Sequence, residues 1–181
     1  MITLKKALSA LHNAINQFLE NDFYLLEKDI AERSITHKIA EYLQAQIPEY
    51  NVDCEYNGDI ENPVTYRKQL GISMETMQQL AVRAINENDT YGIYPDIIVH
   101  MRGFNDNNII VIEVKKKKIT TRGQNEKDFD KVKLAAFTRQ YSYKLGVFLE
   151  FETTKNIGIS EMTYYQKGDC LPLNNLVEWL Q

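Results

Sequence analysis

The chain of 181 residues is one domain's worth, given a prior of about 150 residues per domain, and it is long enough to bury a substantial core. With 44% hydrophobic and 25% charged residues it gives no reason to invoke disorder, and no continuous apolar run predicts a membrane span or a signal peptide. A formal net charge of −4 argues against a protein that coats nucleic acid through overall charge, though it leaves room for a local basic channel.

Leu4, Leu8, Leu11, Ile15, Phe18 and Leu19 recur every three or four residues, which predicts an amphipathic helix over 3–20. Ile35, Ile39, Leu43 and Ile47 predict a second helix over about 29–46, stopped by Pro48. Glu32 falls at the edge of its apolar stripe, where a first-turn acid favours the helix dipole and can reach solvent. Residues 51–57 alternate as a strand, with Val52, Cys54 and Tyr56 facing one way and Asp53 and Glu55 the other, up to the turn signal Asn57-Gly58. An insert over about 59–93 carries Met74, Met77, Leu80, Ala81 and Ile85 at helical spacing, and it packs beside the sheet or acts as a lid.

Two apolar strands follow, 96–101 and 108–116, joined by a Gly- and Asn-rich loop that suits an antiparallel hairpin. Phe129, Val132, Leu134, Ala136, Phe137 and Tyr141 predict a helix over 128–143, then strands over 145–152 and 156–166 and a short helix over 174–181. Cys54 and Cys170 could pair, but with no secretory signal they read as reduced thiols of a cytoplasmic protein. The order predicts one domain over 1–181, a mixed α/β sheet with helices packed against it.

Charge at the ends of apolar strands needs compensation, because an unpaired buried charge costs several kcal/mol, as an order of magnitude. Alternation puts Glu113 and Lys115 on one face and Ile112 and Val114 on the other, and simple register sets Asp96 across from the end of the Glu113 strand. Two carboxylates held close repel, and a divalent cation is the usual remedy. Oxygen ligands select Mg²⁺ or Mn²⁺, and the lack of a Cys/His cluster argues against zinc. The competing reading has Asp96 capping a turn and Lys115 pairing with Glu113 in a strand-end salt bridge worth about 0–1 kcal/mol.

Pro95-Asp96, followed by Glu113-Val114-Lys115 at the end of the next apolar strand, resembles the PD-(D/E)xK signature of the restriction-endonuclease-like nuclease superfamily. The preceding helix with Glu32 is similar to that superfamily's first core helix, which often supplies an acid. The resemblance implies a restriction-endonuclease-like mixed β-sheet core, αβββαβ, over about 29–152, and a metal-dependent endonuclease acting on DNA rather than RNA by family weight alone. It implies Mg²⁺ or Mn²⁺ held by Asp96, Glu113, Glu32 and the backbone carbonyl of Val114, with Lys115 orienting or deprotonating the attacking water or stabilising the phosphorane. A rival expectation keeps the fold and loses cleavage, leaving a nucleic-acid-binding or regulatory subunit. Intact Asp96, Glu113 and Lys115 count against that rival, and the acidic net charge counts for it. A third has the acids bind a metal for structure alone.

Lys116, Lys117, Lys118, Arg122 and Lys133, with Lys127 and Lys131, put positive charge beside the site and could follow a nucleic-acid backbone; the alternative is a solvated strand end. His100 shares a face with Asp96 and reads as structural, His37 as exposed and off the face of Glu32, and Tyr141 and Tyr143 as core aromatics. No membrane partner is expected, and concerted cleavage of both strands would call for a homodimer.

Overall fold

The computed structural model describes residues 2–62, 64–79, 90–92 and 94–172. Helix α1, Leu4–Asn21, starts where the Thr3 hydroxyl accepts a hydrogen bond from the Lys6 amide at 3.2 Å. Its Leu8, Leu11, Ile15 and Phe18 are buried, as the three- and four-residue spacing requires, and each contributes about 2 kcal/mol by leaving water. A one-turn helix α2, Tyr24–Glu27, too short to show a period, leads into α3, Glu32–Gln46, which packs on α1 through buried Ile35, Ile39 and Leu43.

Strand β1, Asn51–Cys54, is followed by the insert, whose described elements are β2, Gln69–Gly71, α4, Met74–Gln79, and β3, Thr90–Gly92. The chain then forms β4, Ile97–His100; β5, Ile110–Lys116; α5, Thr121–Gln140; β6, Leu145–Glu152; β7, Gly158–Gln166; and β8, Asp169–Leu171. The main sheet is mixed, six strands in the order β1-β4-β5-β6-β7-β8, with β5 and β6 parallel across α5 and every other neighbouring pair antiparallel. Strands β2 and β3 pair separately.

Helices α1 and α3 cover one face, over Ile97, Val99, Ile110, Ile112, Val114 and Val147. Helix α5 covers the other, where Leu134 and Phe137 meet Ile98, Val111 and Phe148. Both faces of β4 and β5 are therefore dry, which is why their apolar runs are nearly continuous.

Several elements depart from the sequence expectation. Helix α5 begins at Thr121, because the Thr120 hydroxyl accepts from the Gly123 amide at 3.0 Å; its first turns are polar and carry no period. Glu55 takes φ +51° and breaks strand alternation, so Tyr56 joins the α5 side of the core, its ring 4.7 Å from that of His100. Strand β8 follows a two-residue turn in which Lys167 and Gly168 both have positive φ, a hairpin geometry usually announced by Asn-Gly. The expected helix over 174–181, and the half of the insert helix from Leu80 to Ile85, lie outside the described residues. Cys54 and Cys170 are free and exposed, on the two opposite edge strands of the sheet. Among the described residues no helix is long and apolar enough to cross a membrane.

The described part of the insert packs beside the sheet, against the C-terminal end of α5. The Gln140 side chain accepts from the Gly71 amide and donates to its carbonyl, both at 3.1 Å, while Tyr141 hydroxyl accepts from the Gln69 amide at 2.8 Å. Lys68 anchors the same junction. It is 1% exposed, its amine donates to the Gly58 carbonyl, and it lies 5.3 and 5.8 Å from the rings of Tyr56 and Tyr141. Burial lowers its pKa to about 8, against the opposing pull of Asp59. Between that value and the ordinary lysine value the unfolded chain binds more protons than the folded one, so this group adds stability as pH rises through the window and costs most below it. In urea unfolding, the stability of wild type relative to Lys68→Met is expected to rise by about 1–3 kcal/mol between about pH 7 and about pH 10. A constant difference would mean that this amine titrates alike in the folded and unfolded chain.

Candidate functional site

The pairing of Ile97 with Ile112 sets Asp96 opposite Glu113, and one carboxylate oxygen of Asp96, Oδ2, accepts from the Val114 amide at 2.7 Å. Alternation then turns Asp96, Glu113 and Lys115 toward the α5 side of the sheet. Glu113 is 1% exposed, so its carboxylate sits in the protein interior.

Compensation for that charge comes from α5. Lys133 Nζ lies 2.9 Å from Glu113 Oε2 and 2.6 Å from Asp130 Oδ1, and the second oxygen of Asp130 lies 3.1 Å from Lys115 Nζ. Asp130 and Lys133 stand three residues apart on the helix, which puts both on one side. Lys115 also reaches Glu32 Oε1 at 3.4 Å. The strand-end pair between Lys115 and Glu113 that the competing reading calls for is replaced by pairs to helices: each has its partner on a helix, because both point away from the sheet into the layer where the helix side chains arrive.

Four carboxylates, Glu32, Asp96, Glu113 and Asp130, face two ammonium groups, Lys115 and Lys133, a formal balance of −2. Burial pushes the Glu113 carboxyl well above the usual carboxylate range, with Lys133 pulling it down and Asp130 and Asp96 adding to the rise. Burial also raises Asp96, against Lys115 and the Val114 amide. Lys115 and Lys133 are driven upward: burial opposes their charge, and the surrounding carboxylates outweigh it. Among the described residues, Glu113 Oε1 is buried without a hydrogen-bond partner.

Glu32 is brought in by the start of α3. Its Oε2 accepts from the Lys116 amide at 2.9 Å, and the Lys116 amine fastens the preceding loop through the Asp29 and Ile30 carbonyls at 2.9 and 3.1 Å and Asp29 Oδ1 at 2.6 Å. The first turn of α3 is therefore tied to the end of β5, and Glu32 faces the acids. Glu32, Thr36, Cys54 and Asp96 line an open groove of about 400 Å³, with His37, exposed as expected, also along it.

The basic run is different from the backbone-following tract expected of it. Lys133 is buried among carboxylates, and Lys116 is spent on the α3 loop, so neither offers a free charge at the surface. Lys117 pairs with Glu152 at 3.3 Å, Lys118 and Arg122 with Glu126 at 3.3 and 3.0 Å, and Lys127 and Lys131 with Glu161 at 2.5 Å. His100 is buried and bonded to Asp53 at 2.8 Å, a structural histidine, and Tyr143 is core. Asp130 was not singled out from the sequence; its signal was a charge at a helix position between buried Phe129 and, one turn on, Lys133 beside buried Leu134.

No group of three or more His, Cys, Asp or Glu side chains among the described residues is arranged to hold a metal ion, since Lys115 and Lys133 stand between the carboxylates. Compared with models of known protein families, with curated proteins and with solved structures, the chain matches none.

Removing one member of a buried pair strands the other. Lys133→Met is expected to cost about 3–5 kcal/mol in urea unfolding, and the double variant Glu113→Met with Lys133→Met to recover most of it. Equal losses in the single and double variants would contradict the pairing.

Proposed function

We propose that the protein is a metal-dependent nuclease of the restriction-endonuclease-like kind, hydrolysing phosphodiester bonds, in DNA rather than RNA by the weight of the resemblance. The observation that carries this reading is the meeting of Asp96, Glu113 and Lys115 on one face at adjoining strand ends, with Glu32 arriving from α3. The elements α3, β1, β4, β5, α5 and β6 follow one another in the order αβββαβ, with the insert between β1 and β4, which supports the same reading.

Among the described residues no three carboxylates are grouped to chelate an ion, and what favours a divalent cation is the charge and the type of donor. A formal balance of −2 equals the charge that one such ion neutralises, Glu113 keeps a buried oxygen without a partner, and the donors are carboxylates, which suit Mg²⁺ or Mn²⁺. Asp96, Glu113 and Glu32, with the Val114 carbonyl, would hold it. When bound, it would polarise the phosphate and make the attacking water more acidic. Lys115, held between Asp130 and Glu32, is an ammonium suited to orienting that water and to offsetting charge that develops on the phosphate. The groove beside Glu32 and Asp96 leaves these acids open to a phosphate from solvent.

One observation favours a second reading, a module of this kind that binds or regulates without cutting: the lysines at 116–118 are paired with acids and leave little free positive charge beside the site. The deciding experiment is nicking of supercoiled plasmid and of labelled single-stranded DNA and RNA with Mg²⁺, Mn²⁺ or EDTA. Metal-dependent products are expected from wild type, lowered at least about 100-fold in both Asp96→Asn and Lys115→Ala. No cleavage, with metal-independent binding unchanged by either substitution, would move the assignment to the second reading.

A further inference from the structure

Lys115, Lys116, Lys117 and Lys118 are each answered by a carboxylate, but the cations at the other end of the strands are not. Arg139, Lys144 and Lys167 have no ion-pair partner among the described residues, and they line one open cavity of about 370 Å³ together with Leu4, Thr138 and Ser142. No acid is among its described lining residues. Arg139 comes from the last turn of α5, Lys144 from the loop after it and Lys167 from the turn between β7 and β8. Glu113 is level with Phe148, whereas Lys144 precedes the first residue of β6, so the cavity lies at the far end of the strands from the acids.

The backbone that carries these cations is held in place. The Thr138 hydroxyl accepts from the Gly168 amide and donates to the Ala135 carbonyl, both at 3.0 Å, which seats the β7–β8 turn on α5. Asn108 holds the loop after α5: its side chain donates to the Tyr141 carbonyl at 2.9 Å, and its own carbonyl accepts from the Lys144 amide at 3.3 Å. Arg139 lies so close to the turn that a Cβ on Gly168 would stand 2.5 Å from its Nε and Nη2, which only glycine permits. Ser142 and Lys167 both take the left-handed region, at φ +53° and +52°, and strain of this kind collects at ligand sites. Three like charges brought to one cavity repel, and an anion among them removes that cost. A guanidinium fork beside two ammonium groups suits a phosphate, and a concave site near the small end of ligand pockets suits a small molecule more than a run of nucleic-acid backbone. We infer that this cavity binds a small phosphate monoester of the size of a sugar phosphate or mononucleotide, with Arg139, Lys144 and Lys167 on the phosphate and Leu4 and the lysine stems against the organic part. The inference stands apart from the metal-dependent reading.

Isothermal titration calorimetry of the full chain in EDTA tests this with adenosine monophosphate and ribose-5-phosphate, against adenosine, inorganic phosphate and a duplex DNA oligomer. One ester per chain is expected, bound more tightly than inorganic phosphate, with affinity lowered at least about 10-fold in Arg139→Gln and in Lys167→Gln and partly kept in Arg139→Lys. Both positions are exposed, so either variant is expected to fold, as thermal unfolding checks, and each tests the inference without the other. Lys155→Gln removes the same charge from an exposed position away from the cavity and is expected to bind as wild type does. No saturable binding of either ester at millimolar concentration, or affinity unchanged in both charge variants, overturns the inference. So does adenosine bound as tightly as its monophosphate, since the phosphate would then not be the group recognised, and so does inorganic phosphate bound as tightly as the esters. DNA bound through Arg139 and Lys167 with the esters unbound overturns it in favour of a nucleic-acid contact. None of these results alters the outcome of the nicking experiment, so the two readings fail separately.

Discussion

A carboxylate buried within the layer between sheet and helix is the constraint around which this molecule is arranged. Glu113 cannot be ionised there alone, and its charge is met by Lys133, whose own charge is shared with Asp130, which in turn holds Lys115, which reaches Glu32. This run of ion pairs joins β5 to the helices on both of its sides. Stability does not require it, because buried ion pairs are often replaced by apolar residues of similar volume at no loss.

The rest of the fold keeps that cluster in place. The parallel pair β5 and β6 forces the chain to cross over the sheet, and the crossover is α5, which brings Asp130 and Lys133 above the end of β5. On the other side Lys116 ties the loop before α3 to the same strand end, which fixes the approach of Glu32. The far end of α5 serves a second purpose, holding the insert through Gln140 and Tyr141. One helix thus links the acids to the segment inserted between β1 and β4.

What could be read from sequence was what depends on local period. Strand alternation put Glu113 and Lys115 on one face, and a hairpin of simple register put Asp96 across from Glu113; both follow from neighbouring residues. The ion-pair partners could not be read, since Asp130, Lys133 and Asp29 meet the end of β5 only through helix packing and a loop distant in the chain. The lysine run looked like a surface tract because counting cations says nothing of the acids opposite them, here Glu126, Glu152 and Glu161. The early start of α5 and the Lys167-Gly168 hairpin were missed because a threonine cap and a positive-φ lysine leave no hydrophobic pattern. A mixed α/β sheet was legible from element order alone, whereas a six-stranded order ending in β8 was not.

The central proposal is that Glu113 and Asp96 together would seat a divalent cation. Crystals grown with Mn²⁺ and measured at a wavelength where manganese scatters anomalously test it most directly. The account predicts one anomalous peak in contact with Glu113 Oε1 and Asp96. No peak at saturating Mn²⁺, or a peak only at carboxylates away from β4 and β5, would contradict it.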